Sequence, residues 1–113
     1  MTVSRFAEKY GLEALSLPDG GREITGGYTG DLLSWVMGRA QSGDAWITIM
    51  SNINIAAVAA LTDAACILIA EGVTLDANIV ETARSKGINI LSSEQPAFAL
   101  AGLLWSELHP DGA

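Results

Sequence analysis

From residue 45 onward, hydrophobic positions alternate between short continuous runs and longer segments with helical spacing. The predicted strands are AWITIM (45–50), ACILIA (65–70) and INILSS (88–93), and the predicted helices are NIAAVAAL (54–61), ANIVETARSK (77–86) and PAFALAGLLWSEL (96–108). Apolar strands separated by helices pair in parallel, and each crossover places a helix on the sheet. The pattern predicts an α/β fold, a single small three-layer domain over residues 1–113 with a mostly parallel sheet flanked by helices.

The N-terminal third carries a weaker pattern. Residues 3–10 predict a short helix, residues 12–17 a strand, and residues 22–28 an extended segment. Gly26 and Gly27 in the extended segment indicate a bulge or a close approach of the backbone to a neighbouring element. A further helix is predicted after Asp31, whose carboxylate suits a helix N-terminus. The residues expected on its buried side are Leu32, Leu33, Val36, Met37 and Ala40.

Composition and charge limit the partners. The 113 residues carry a net charge of −7, and their six Lys and Arg form no basic cluster, which argues against a nucleic-acid partner. The apolar runs on either side of Thr62 and Asp63 are shorter than the ~20 residues that a membrane helix requires, so no membrane partner is expected. The N-terminus, MTVSRFAEKYG, lacks the apolar core of a secretory signal, which predicts a cytoplasmic protein.

The residues that carry most enzyme chemistry are scarce. Cys66 is the single cysteine and falls on a predicted buried strand, and His109 is the single histidine and falls at the end of the last helix. The glycine-rich residues 25–31 are not followed by the Lys and Ser or Thr of a phosphate-binding loop. The sequence therefore predicts no catalytic residues, no metal site and no cofactor.

Polar residues follow each of the three predicted strands. In an open parallel sheet, ligands bind outside the carboxyl ends of the strands, where loops lead into helices. The candidate ligand-binding residues at these ends are Ser51, Asn52, Asn54, Glu71, Gly72, Ser92 and Ser93. Two interpretations remain open, because side chains at such places also cap the helices that follow. The residues are predicted to cap helices first and to contact a ligand second.

Apolar residues exceed what one face of each helix can bury. In the last helix, Phe98, Leu104 and Trp105 share the face that we expect to pack on the sheet, together with Ala101 and Leu108. Leu100 and Leu103 lie outside that face, and Trp35 lies outside the stripe of its own helix. These three residues predict a homodimer interface. The alternative is that the N-terminal segment folds back and covers them.

The segments GDLLSWVMGRAQSGDAWIT, NINIAAVAAL, ACILIAEG and ARSKGINILSS follow one another in this order. In their order and local sequence they resemble the DRTGG domain family over residues 30–108. Members are small α/β domains, often attached to CBS domains or phosphotransacetylases, and similar in fold to the N-terminal domain of HPr kinase/phosphorylase. The resemblance implies a regulatory or ligand-sensing module that self-associates and works beside other proteins.

The chain departs from the family at its polar motif. Met50-Ser51-Asn52 stands where the family has Gly-Asp-Arg, and Ala70-Glu71-Gly72 stands where it has Thr-Gly-Gly. An arginine suited to an anionic ligand is thus replaced by the neutral amide of Asn52. The functional prediction is a non-enzymatic, self-associating regulatory or ligand-sensing module that binds a small metabolite or a partner enzyme. The alternative is a structural adaptor that docks on a larger enzyme and binds no small-molecule ligand.

Overall fold

Helices and strands alternate along almost the whole chain. The structure is a computed structural model, and it describes residues 1–112. Its elements are α1 (Val3–Tyr10), β1 (Glu13–Ser16), β2 (Gly26–Thr29), α2 (Leu33–Arg39), β3 (Asp44–Thr48), α3 (Ile55–Thr62), β4 (Cys66–Ile69), α4 (Ala77–Ser85), β5 (Ile90–Ser92) and α5 (Ala97–Leu108). Each predicted helix and strand is present, with bounds that differ from the prediction by a few residues.

The strands form one five-stranded sheet in the order β1-β5-β4-β3-β2. Strands β2, β3, β4 and β5 pair in parallel, and β1 joins β5 in the antiparallel direction. The mostly parallel α/β sheet predicted from the apolar runs is therefore confirmed. Strand β2 lies at one edge of the sheet, a position that becomes important below.

Both faces of the sheet are buried, because alternate residues of each central strand point to opposite sides. Ile47 and Leu68 lie in one hydrophobic core with residues of α1 and α5, while Trp46 and Ile67 lie in a second core with residues of α2, α3 and α4. The helices thus form two layers around the sheet, which confirms the three-layer arrangement. Within residues 1–112, no helix is long and apolar enough to cross a membrane.

The buried face of α5 differs from the predicted one. Leu100 is 0% exposed and Leu104 is 4% exposed, whereas Phe98 is 89% exposed and Trp105 is 57% exposed. Leu100 is therefore a core residue of this chain and cannot form a dimer interface, so that assignment was wrong. Leu103 is partly buried and packs against the same core. The alternative prediction was that the N-terminal segment folds back and covers these residues. It is observed for Leu100, because α1 contributes to the core that encloses this side chain.

Helix α2 is shorter and more exposed than the periodicity predicted. Val36 is its fully buried residue, and Leu33 and Ala40 are partly buried. Leu32 and Met37 are about half exposed, so their assignment to the buried side was wrong. A helix of seven residues makes only about two turns, and a single row of side chains can reach the sheet layer beneath it. Trp35 is 52% exposed, with the Arg39 guanidinium 3.7 Å from its ring centroid.

Candidate functional site

The loops after β4 and β5 bind each other through their backbones. The Glu71 N–H donates to the Gln95 carbonyl at 2.8 Å, and the Gly72 N–H donates to the Ser93 carbonyl at 2.9 Å. The Ser93 hydroxyl accepts from the Gln95 N–H at 3.1 Å. The N–H groups of Glu71 and Gly72 are therefore already bonded within the protein, so neither offers the free donor that an anion would need.

Ser51, Asn52 and Asn54 lie in an exposed turn before α3. The Asn52 side-chain oxygen accepts from the Asn54 N–H at 2.7 Å, which is a local turn bond of the kind that asparagine favours. Asn54 precedes the first residue of α3, but its side chain makes no capping bond. Asn52 thus stabilises the turn rather than capping the helix directly. A ligand at this turn stays a prediction.

Gly72 and Ser92 line a small cavity of about 270 Å³ beside β1, together with Glu13 and Glu94. Ser51, Asn52 and Asn54 do not line it. The seven residues predicted at the carboxyl ends of the strands are therefore not joined by this cavity. Its two carboxylates also make it a poor site for an anionic ligand.

Glu71 and Gly72 both adopt the left-handed conformation, with φ of 64° and 69°. A residue with a Cβ is strained in this region by roughly 1–2 kcal/mol, and glycine is not. We expect Glu71→Gly to raise the free energy of unfolding by up to about 1 kcal/mol, and Gly72→Ala to lower it by about 1 kcal/mol. A Cβ on Gly72 would lie 3.7 Å from Glu94 Cγ, an ordinary contact, so only backbone strain is tested. Urea unfolding measures both changes, and equal destabilisation by the two variants would contradict this assignment.

Asp31 has a role that sequence reasoning missed. Its carboxylate oxygen Oδ1 accepts from the Thr48 hydroxyl at 2.7 Å and from the Ile49 N–H at 2.9 Å. It therefore binds the carboxyl end of β3 instead of the N-terminus of α2, which begins two residues later. The sequence pattern did not indicate this role, because Asp31 also stands just before a predicted helix. An aspartate can bond to N–H groups at a helix N-terminus as well as to the end of a strand.

A larger groove runs along the free edge of β2. It has a volume of about 530 Å³, with residues 25–29 at its base. The end of α5 forms one wall, and the segment between α2 and β3 forms the other. The side chains on the α5 wall are Leu104, Trp105, Leu108 and His109, and those on the opposite wall are Arg39, Gln41 and Asp44. This volume lies in the range of pockets that bind small molecules or peptide side chains.

Gly26 and Gly27 allow both walls to approach β2. A Cβ added to Gly27 would lie 2.5 Å from Cδ2 of Leu104, and one added to Gly26 would lie 2.5 Å from Oδ1 of Asp44. Real side-chain carbons do not come this close to another heavy atom, so a side chain at either position would force the Leu104 or the Asp44 side chain to shift. The close backbone approach predicted from this glycine pair is confirmed.

Asp44 is the acidic group of the groove and lies on the wall opposite α5. The residue is only 6% exposed, and its Oδ2 accepts from the Gln41 N–H at 2.8 Å. Among residues 1–112, no donor bonds to the other carboxylate oxygen, Oδ1, which faces Gly26. Among residues 1–112, no buried side-chain oxygen or nitrogen lacks a hydrogen-bond partner, so Oδ1 is an accessible acceptor on the groove and not a sealed one. The open acceptor makes Asp44 the strongest indication of a ligand in the described part of the chain.

The α5 wall is aromatic and partly exposed. The rings of Trp105 and His109 stack with centroids 3.8 Å apart and an interplanar angle of 20°. His109 also ends α5, and its backbone N–H donates to the Trp105 carbonyl at 2.8 Å. Stacking fixes the indole against the groove, where its exposed surface can pack on an apolar or planar group.

The shifted pKa values of Cys66 and Glu107 are caused by burial and by hydrogen-bonded partners, respectively. Burial raises the pKa of the Cys66 thiol to about 12, so this core cysteine stays protonated and unreactive at neutral pH. The hydrogen bond from Lys9, at 2.5 Å, and a second from Tyr10 lower the pKa of the Glu107 carboxylate. These contacts join α1 to α5. Within residues 1–112, no three His, Cys, Asp or Glu side chains are placed to hold a metal ion.

No family model matches the sequence, and no curated protein matches it significantly. A solved structure with a similar fold contains the CBS and DRTGG domains of the regulatory region of Clostridium perfringens pyrophosphatase, complexed with the activator diadenosine tetraphosphate. The TM-score is 0.71 and the sequence identity is 14%. The likeness covers 91% of this chain and 45% of the other, so this chain spans less than half the length of that structure.

The chain has a DRTGG-like fold. This agrees with the family resemblance of residues 30–108, although an identity of 14% carries the fold and not the ligand. The DRTGG-like sheet also explains the position of the groove, because the strand order places β2 at an edge that no other strand covers. The function of the domain must therefore be derived from its own site.

Proposed function

We propose that this DRTGG-like domain is a non-enzymatic regulatory module whose ligand binds in the groove along β2. The observation that carries the proposal is Asp44, a buried carboxylate with one oxygen open to the groove beneath an aromatic wall. A few convergent polar groups in an apolar cleft are typical of a ligand site. The pyrophosphatase neighbour is a regulatory region bound to an activator, which supports a regulatory role for a domain of this fold.

The regulatory module is also proposed to act as a cytoplasmic homodimer. Trp35 supports this, because a half-exposed tryptophan is a common interface anchor and its ring is already ordered by Arg39. The apolar side chains of Leu32 and Met37 are exposed on the same helix or at its start. In this proposal, ligand binding at β2 changes the dimer contacts made by the surface of α2. Arg39 can link the two, because its side chain lines the groove and its guanidinium lies over the ring of Trp35.

A screen for ligands tests the proposed site. Thermal unfolding in the presence of nucleotides, phosphorylated metabolites and short peptides identifies compounds that stabilise the protein, and calorimetry then measures their affinity. We expect Asp44→Asn to weaken binding of the best compound at least tenfold, since the open acceptor loses its charge. Asn52→Ala is the matched control at the carboxyl edge, and its affinity should be unchanged. A loss confined to Asn52→Ala would place the ligand at the turn before α3 instead.

A structural adaptor is the second candidate, and exposed apolar side chains favour it. Leu61 on α3 and Phe98 on α5 are 76% and 89% exposed, which is more than a core requires. In this case the domain docks on a larger enzyme without any small ligand. Co-purification with Leu61→Ser and Phe98→Ser as variants tests it. Retention of the same enzyme by the wild type, with loss in both variants and no stabilising compound, would favour the adaptor.

A further inference from the structure

The two edges of the sheet are treated differently. At β1, the pairing register shifts between Ala14 and Ser16, and Arg84 donates to the outward carbonyl of Leu15 at 3.1 Å. Bulges and charged side chains of this kind protect an edge strand from pairing with another chain. Strand β2 carries no charged side chain and keeps a regular register with β3 from Gly26 to Thr29, and its Gly26 and Gly27 carry no side chains that would block an approaching strand.

The backbone groups of β2 that face away from β3 can be identified from its neighbours. The Gly30 N–H, directly after β2, donates to the Ile47 carbonyl of β3, and the pairing places Gly27 opposite Ala45 and Thr29 opposite Ile47. Successive residues of an extended strand alternate in this direction. Counting back from Gly30, the N–H and C=O groups of Gly26 and Tyr28 face β3, and those of Gly27 and Thr29 therefore point outward, away from β3.

The N-terminus already pairs with the start of this edge. Thr2 forms an antiparallel bridge with Glu23, the Ile24 N–H donates to the Met1 carbonyl at 3.0 Å, and the Val3 N–H donates to the Arg22 carbonyl at 3.0 Å. This pairing stops at Met1. Thr25 and Gly26 both face β3, and the outward groups of Gly27 and Thr29 follow them on the same edge; no side chain or backbone group among residues 1–112 is bonded to these two residues from that side.

We propose that the occupant of the groove is an extended peptide segment of a partner protein, which adds to β2 as a sixth strand of the sheet. Main-chain hydrogen bonds to Gly27 and Thr29 supply the attachment, as in other complexes formed by strand addition. This inference rests on the proposed function, since it names the ligand class of the same groove. Four residues of β2 span roughly 13 Å, so the segment in contact is short.

The walls define which side chains the segment carries. Its residues that point towards α5 meet Leu104, Trp105 and Leu108, so these positions are apolar or aromatic. Those that point the other way meet Asp44, whose open oxygen accepts from a lysine, an arginine or an amide. The net charge of −7 also favours a basic segment. We therefore expect alternating apolar and basic residues.

A second copy of this chain is a poor occupant of the same edge. Paired strands lie about 4.8 Å apart. Strand β2 forms the base of a groove, with α5 on one side and residues 39–41 on the other, so a second copy would have to bring its own β2 past the same two walls. A single extended segment brings no walls of its own, which is why we assign the groove to a partner segment.

The experiment selects peptides from a displayed random library on the intact protein and measures the best by calorimetry. The peptide is then resynthesised with one N-methyl group at each position in turn, which removes one main-chain N–H at a time without altering the protein. We expect affinity to fall at least tenfold at alternate positions and to change less than threefold at those between. Asp44→Asn should weaken the same peptide at least tenfold, and Asn52→Ala should leave it unchanged.

The outcomes separate this inference from the proposed function. A uniform response to N-methylation would show that no strand forms and would overturn the inference. Stabilisation by a nucleotide or a phosphorylated metabolite that depends on Asp44, with no peptide selected, would overturn the inference and leave the proposed function intact. Absence of any binder that depends on Asp44 would overturn both.

Discussion

Replacing Trp46 with alanine is expected to lower the free energy of unfolding by about 4 kcal/mol. The side chain is 0% exposed, lies on β3 in the second core, and is among the largest fully buried side chains. Its indole N–H donates to the Gly30 carbonyl at 2.9 Å, so truncation also removes the partner of a backbone acceptor. Because a domain of this size is stable by only about 5–15 kcal/mol, the variant should unfold at a much lower urea concentration.

Trp35→Ala is the control for Trp46→Ala, since it removes the same side chain from an exposed position. We expect it to cost less than about 1 kcal/mol, because only a surface cation–π contact with Arg39 is lost. Urea unfolding followed by circular dichroism measures both variants without relying on tryptophan fluorescence. Equal destabilisation by the two changes would contradict the placement of Trp46 in the core and Trp35 on the surface.

Leu100→Ala is expected to lower the free energy of unfolding by about 3 kcal/mol. The side chain extends from α5 into the core that α1 and the sheet enclose, where it is fully buried, and alanine would leave a cavity there. Phe98→Ala, on the opposite side of the same helix, should change stability by less than about 0.5 kcal/mol. The pair therefore tests which face of α5 packs on the sheet.

The opposite order of effects for Leu100→Ala and Phe98→Ala would contradict this orientation of α5. A larger loss for Phe98→Ala than for Leu100→Ala in monomeric protein would restore the face predicted from the sequence. Unfolding is measured at several protein concentrations, because burial of Phe98 in an oligomer would make its effect depend on concentration. A loss from Phe98→Ala that grows with concentration would indicate an interface at Phe98 rather than a core position.

The sheet could be predicted because its central strands are continuous apolar runs. Residues 65–70 are buried on both faces, and such a run between two helical segments fits only a covered parallel strand. The face of α5 could not be predicted in the same way. Its twelve residues are apolar on most sides, so helical periodicity gives no clear direction. Packing of α1 on that helix selects Leu100, and this contact joins distant parts of the sequence.

The candidate site was hidden for a similar reason. Asp44 stands at the start of a strand, where aspartate often serves a turn, and its bond to the Gln41 N–H is of that kind. Its open oxygen gains meaning only when β2 lies beside it and α5 forms the second wall. No local sequence motif predicts the strand order that brings these elements together. Conversely, the carboxyl ends of the strands could be predicted from the sequence. The loops after β4 and β5 bond to each other through their backbones, however, so these N–H groups are not free to bind a ligand.

The most direct test of the groove is a map of backbone amide shifts in ¹⁵N-labelled protein. The protein is titrated with the tightest-binding member of the peptide and metabolite libraries. We expect the largest changes at Gly27, Thr29 and Asp44, with a change in the Trp105 indole N–H, and little change at Asn52, Gly72 and Ser93. Large shifts at those last three amides, with the amides of β2 unmoved, would contradict the account and place the ligand at the carboxyl ends of the strands.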